Sequence, residues 1–155
     1  MAAGKSTVAA AVGRRLGWQV EDIDERIEAR EHRTISDIFA QSGERHFRLT
    51  ERAVLQELLP IRHAVVATGG GTFVDRTNRI AINQNGVSIW LDVSFDTVIE
   101  RMPKDGRRPL ATDRATMRDL YDTRRAAYQL AHLRLDTHRL PIGELVERIL
   151  EWLGN

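Results

Sequence analysis

The chain has 155 residues, 42% of them hydrophobic, which matches one globular domain spanning 1–155 with its own core and argues against a second. Its 23 basic and 22 acidic residues nearly cancel, so charge gives no reason to expect a nucleic acid or a membrane surface as partner. With no Cys there is no disulfide framework or thiolate metal site, and no apolar run is long enough for a membrane span or signal peptide, so a soluble cytoplasmic protein is expected.

The chain opens on Met1-Ala2-Ala3-Gly4-Lys5-Ser6-Thr7, which has the form of the second half of a phosphate-binding loop. In such a loop glycine lets backbone amides approach phosphates, Lys reaches the β and γ oxygens, and a hydroxyl coordinates Mg²⁺. Taken alone, Gly-Lys-Ser-Thr reads first as an ordinary capped helix start, here over 5–16. A strand expected over 18–22 then ends on Asp22 and Asp24, two carboxylates at the strand end where α/β folds assemble ligand sites. Glu25 and Glu28 continue the acidic run, so a solvated strand end leading into an acidic helix start accounts for the pair equally well.

Helices are expected over 24–30 and over 34–59, the latter in two pieces broken near Gly43, with Thr34 as N-cap. The strand at 64–67 runs into Thr68-Gly69-Gly70-Gly71, three successive glycines that let a ligand lie directly against backbone amides. A helix at 75–84, a strand at 87–92 and a helix at 95–102 capped by Ser94 follow. Residues 103–115 carry Pro, Gly, Asp and Thr with little apolar periodicity, the composition of an exposed, lid-like loop. A helix at 116–130, a strand at 133–136 and a helix at 141–153 opened by Pro141 complete the chain. Four short strands alternating with helices predict a parallel α/β sheet. Trp18, Trp90 and Trp152 fall where strand or helix cores are expected, and the five His show no ligand spacing, so no structural metal is expected.

The phosphate loop, Asp22 and Asp24, Thr34-Ile35-Ser36-Asp37-Ile38-Phe39 with Gly43-Glu44 and Phe47-Arg48, Gly69 to Gly71, Arg108-Pro109-Leu110 and Leu135-Asp136-Thr137 together resemble the shikimate kinase family. The resemblance runs in order over essentially the whole chain and is far more specific than any single motif. It implies a P-loop three-layer α/β/α fold with a parallel sheet in the order 2-3-1-4-5. The implied activity is transfer of the γ-phosphoryl of ATP to the 3-hydroxyl of shikimate, with Mg²⁺, in a monomer.

By that resemblance, the amides of Ala2, Ala3, Gly4, Lys5, Ser6 and Thr7 cradle the phosphates and Lys5 neutralises β and γ charge. Ser6 coordinates Mg²⁺, and Asp22 helps to hold the ion through water. Asp24 binds the ring hydroxyls and orients the attacking one, its part in removing the proton being left open. Arg48 and Arg124 grip the substrate carboxylate, while Gly69, Gly70 and Gly71 pack against the ring. Arg108 resembles the lid arginine that closes over the transferring phosphoryl group, and Arg101 the arginine stacked on adenine, with Arg139 and Pro141 on the other side of the base. For Arg101, Arg139 and Pro141, plain helix-end or surface positions are the competing reading.

Departures from the family accompany these matches. The family's first, central strand has no counterpart in 1–155, so the inner edges of the 64–67 and 87–92 strands are expected to lack a ladder partner, and Met1 is expected to be an internal methionine of a longer chain. Ala2 stands where the loop usually has Gly, and Ala126 where Pro usually follows the carboxylate-binding arginine. Two other activities fit parts of the pattern: a small-molecule kinase with another acceptor, such as gluconate, and an inactive ligand-sensing domain. Arg48, the glycine run and Arg124 favour a carboxylated ring over gluconate, and the retained Asp22 and Asp24 argue against a sensing domain.

Overall fold

The computed structural model describes residues 3–101, 114–138 and 140–154. Four strands alternate with seven helices along them: α1 (Lys5–Leu16), β1 (Gln19–Asp22), α2 (Ile23–Glu31), α3 (Ile35–Leu58), β2 (Ala64–Ala67), α4 (Arg76–Asn85), β3 (Ile89–Asp92), α5 (Phe95–Arg101), α6 (Arg114–Tyr128), β4 (Leu133–Asp136) and α7 (Ile142–Leu153). β1 runs parallel to β2 with Gln19 opposite Ala64, and β3 runs parallel to β4 with Ile89 opposite Leu133. Helical crossovers join each pair, as parallel pairing requires.

The sheet strands alternate their side chains between two helical layers. Val65 packs with Val8 and Val12 of α1 and with Leu145, Val146, Ile149 and Leu150 of α7. Its neighbour Val66 packs on the opposite layer, among Ile23, Ile27, Ile38, Phe47 and Val54 of α2 and α3. A third cluster joins Val93, Phe95 and Val98 to Met117 and Tyr121 of α6, with Ala3 against it. That cluster seats the start of α1 beside α5 and α6.

Element ends differ from expectation in instructive ways. A parallel ladder lasts only as long as both strands, so the apolar run 87–92 shortens to Ile89–Asp92, matching the four residues of its partner, and Val87 is left 47% exposed. The run 18–22 shortens to Gln19–Asp22 for the same reason. α6 begins at Arg114, inside the expected loop, and stops at Tyr128. Pro141 is the N-cap of α7 and lies just before its first turn. Trp152, expected in a core, is 46% exposed at the edge of the apolar stripe of α7, whereas Trp90 is buried. Thr34 and Ser94 cap as expected, accepting from the Asp37 and Thr97 amides at 3.1 and 3.2 Å. Gly43 carries the expected break in α3, at φ 77°, ψ 170°, a conformation that strains any side chain with a Cβ. The lid expected over 103–115 lies outside the described residues up to 113, with Arg108, Pro109 and Leu110, and so do Ala2 and Arg139.

Among the described residues each strand is paired on one edge alone, giving two two-stranded sheets, as the sequence led us to expect. The remaining edges of β2 and β3 line one cavity of about 480 Å³ whose wall is mostly apolar, from Val8 and Val12 to Val65, Leu91 and Ile149. Its far end reaches Lys5, Gly69 and Gly70. The cavity therefore lies between the two sheets and adjoins the candidate site.

The entry to α4 predicts an acid-range effect. The Asn78 amide donates to Asp75 Oδ1 and Arg52 donates to Oδ2, each at 2.9 Å. The backbone bond first, and then Arg52, hold the Asp75 carboxyl below its ordinary range against the opposing effect of burial. A carboxyl depressed in the folded state stabilises the fold above its unfolded pKa of about 3.9, and that stability is lost as pH falls through the lower folded value. The urea midpoint is expected to fall between pH 6 and pH 3, and less steeply in Asp75→Asn, which can still cap but does not titrate. Equal slopes in the two proteins would remove Asp75 from the account.

Candidate active site

The phosphate end of the site starts at Gly4, which is left-handed at φ 76° and caps α1. Among the described residues no side chain caps this helix start and no acidic residue lies in its first turn, so its amides and dipole face outward for an anion. Lys5 follows, half-buried, with Ser6 and Thr7 exposed beside it. The Ser6 hydroxyl donates to Asp22 Oδ2 at 2.9 Å, and Asp22 Oδ1 accepts the Asp24 amide at 2.9 Å. One carboxylate thus ties the phosphate loop to the end of β1 and the start of α2. Ser6 and Asp22 together present hard oxygen donors, which suit Mg²⁺ and suit a soft metal poorly.

The acceptor end is built on the three glycines after β2. A Cβ placed on Gly69 would come 3.0 Å from an Asp24 carboxylate oxygen and 3.3 Å from Glu51. On Gly70 it would come 2.7 Å from the Arg124 guanidinium, and on Gly71 2.5 Å from that of Arg48. A side chain at Gly70 or Gly71 would displace a guanidinium group, and one at Gly69 would press on the Asp24 carboxylate, because these groups close over the backbone. The two cations reach the glycines from different helices, Arg48 from α3 and Arg124 from α6. A planar carboxylate between them meets two forked donors.

Arg48 is itself held in place. It donates to Glu51 at 2.9 Å and to Glu44 at 3.1 Å. Burial opposes its charge, but Glu51 and Glu44 outweigh that and keep the guanidinium above its ordinary range. Glu51 is only 1% exposed, and its other oxygen accepts from the Thr72 hydroxyl at 2.7 Å. Of the two adjacent arginines on α6, Arg125 turns to Asp92 at 3.2 Å and stacks over Trp90, leaving Arg124 as the one beside Gly70.

The structure therefore brings together Lys5, Ser6, Asp22, Asp24, Arg48, Gly69, Gly70, Gly71 and Arg124. Arg101 lies exposed at the last turn of α5, and Pro141 at the start of α7. Among the described residues no hydrogen bond or ion pair ties either to this cluster. Sequence reasoning passed over Glu51, Thr72 and Tyr128. The signal for Glu51 is its i+3 spacing from Arg48 on one helix face, and for Tyr128 its i+4 spacing from Arg124.

The family model for shikimate kinase matches residues 1–154. The chain belongs to the shikimate kinase family. It is 37% identical over 151 residues to a shikimate kinase of Persephonella marina, covering 97% of this chain and 92% of that protein. A shikimate kinase of Salinibacter ruber is 38% identical over 163 residues, with 97% of this chain and 79% of that protein covered. Among solved structures, the shikimate kinase of Acinetobacter baumannii in complex with shikimate superposes with a TM-score of 0.92 at 33% identity, covering 99% of this chain and 88% of that one. The shikimate kinase of Aquifex aeolicus gives 0.90 at 31% identity, covering 99% and 92%. These likenesses establish the P-loop α/β fold.

Proposed function

We propose that this member of the shikimate kinase family transfers the γ-phosphoryl group of ATP to the 3-hydroxyl of shikimate, releasing ADP and shikimate 3-phosphate. The observation that carries the reading is the glycine run closed over by Asp24, Arg48 and Arg124, linked through Asp22 to the phosphate loop. Arg48 and Arg124 hold the acceptor's carboxylate, which fixes the ring against Gly69 to Gly71. Asp24 then accepts a hydrogen bond from the ring hydroxyl and aims its oxygen at the γ-phosphorus. The new bond forms between that oxygen and phosphorus as the bond to the β–γ bridging oxygen breaks; the electron pair leaves on ADP, and the hydroxyl proton passes to the Asp24 carboxylate, which returns it to solvent.

Lys5 and the amides at the start of α1 stabilise the charge that spreads over the phosphoryl oxygens. Ser6 and Asp22 would hold Mg²⁺, which when bound neutralises phosphate charge. Arg108 over the phosphoryl group, and Arg101, Arg139 and Pro141 at the adenine, complete the proposed assignment, with the protein acting as a cytoplasmic monomer. An acceptor screen with ATP and Mg²⁺ tests it. Shikimate is expected to be phosphorylated and gluconate not, and preference for gluconate would overturn the reading.

A further inference from the structure

Tyr128 ends α6 on the same face as Arg124, four residues on. Its hydroxyl donates to the Gly70 carbonyl at 2.5 Å, across 58 residues of sequence. Its ring is wedged between Trp90 and Phe73, with centroids at 6.0 and 6.5 Å. A Cβ on Gly70 would lie 3.3 Å from the Tyr128 hydroxyl and 2.7 Å from Arg124, so the Gly70 backbone is held under two side chains of one helix.

The consequence follows from the planarity of the peptide. Gly70 contributes the carbonyl and Gly71 the N–H of a single trans unit, and the two point in opposite directions. Fixing the carbonyl toward Tyr128 turns the Gly71 amide to the other side of the run. Three glycines in succession have wide conformational freedom, and a backbone that must receive a ring needs an external constraint. The ring contacts with Trp90 and Phe73 aim the hydroxyl at the Gly70 carbonyl.

We propose that Tyr128 is a positioning residue for acceptor binding: its hydroxyl locks the Gly70–Gly71 peptide in the orientation that receives the substrate ring, while Arg124, from the same helix face, holds the carboxylate. One helix thereby sets both the cation and the backbone surface of the acceptor pocket. This inference rests on the proposed activity, and its test separates the two.

Tyr128→Phe removes one oxygen and keeps the ring packing. The shikimate KM is expected to rise roughly tenfold, the effect of one hydrogen bond of about 1.4 kcal/mol, while the ATP KM and the thermal midpoint stay near those of the unsubstituted protein. A lowered thermal midpoint with an unchanged shikimate KM would make Tyr128 purely structural and overturn the proposal. Amide hydrogen exchange at Thr72 and Val74, whose N–H groups donate to the Gly69 and Gly71 carbonyls on either side of the locked peptide, supplies a readout independent of activity: it is expected to quicken in the variant without acceptor present. Unchanged exchange there would overturn the locking role whichever acceptor the enzyme uses, whereas absence of shikimate turnover in the unsubstituted protein would count against the activity.

Discussion

Asp24→Asn is expected to lower kcat for shikimate phosphorylation by about 10²–10⁴-fold and to leave ATP affinity within about twofold. Asp24 lies over Gly69, on the acceptor side of the site, whereas the phosphate loop is tied to β1 through Asp22. The capping contact at the start of α2 uses the Asp24 backbone amide, so the substitution leaves it intact. An amide can still accept a weak hydrogen bond from the ring hydroxyl, but it carries no charge to draw the proton as the oxygen attacks phosphorus. The loss therefore falls on the chemical step. Steady-state kinetics paired with an ATP titration measure both quantities, and a kcat within about threefold of the unsubstituted enzyme would remove Asp24 from the reaction.

Arg48→Ala acts on binding and on the fold at once. Removing the forked, charge-assisted contact proposed between Arg48 and the acceptor carboxylate is expected to raise the shikimate KM by about 10–100-fold, from a loss of about 1.5–3 kcal/mol. The same change takes the guanidinium from Glu51, which is buried and keeps the Thr72 hydroxyl as partner. A buried carboxylate stripped of its cation costs about 1–3 kcal/mol of stability. A second substitution separates the two effects. In Arg48→Ala combined with Glu51→Gln the stability is expected to recover in part, because the stranded charge is gone, while shikimate binding stays weak. Recovery of shikimate binding in the double variant would show that Arg48 serves only to neutralise Glu51.

The sequence carried the site's ends more clearly than its supports. Gly4-Lys5-Ser6, the Asp22 and Asp24 pair, and Gly69 to Gly71 each admit a plain structural reading when taken singly, and become legible because they fall together, in order and at compatible spacings. Glu51 is not legible alone. It lies among Glu44, Arg45, Arg48 and Arg52, and such a run reads as a solvated helix face until α3 is laid against the glycine turn. Tyr128 is hidden for a different reason: its partner is a backbone carbonyl, which leaves no trace in residue type. Strand lengths were misjudged wherever an apolar run exceeds its partner, since the partner's four residues set the ladder. β2 and β4 match expectation residue for residue because they are those limiting partners.

The cavity between β2 and β3 matters for how the enzyme is assayed. Its walls offer two strand edges that are unpaired among the described residues, together with apolar side chains, and its lining includes Lys5 and Gly70. Leaving such edges unpaired costs about 1–3 kcal/mol for each buried backbone group, against total stabilities of about 5–15 kcal/mol. Cooperative thermal unfolding, followed beside the assay, should therefore establish that the assayed chain is folded.

Shikimate-dependent ADP release in the presence of ATP and Mg²⁺ tests the central claim most directly. The expected result is ADP release only when shikimate is added, one ADP for each shikimate 3-phosphate formed. No shikimate-dependent release from a folded form that binds ATP would contradict the assignment of the Asp24, Arg48 and Arg124 cluster to this acceptor.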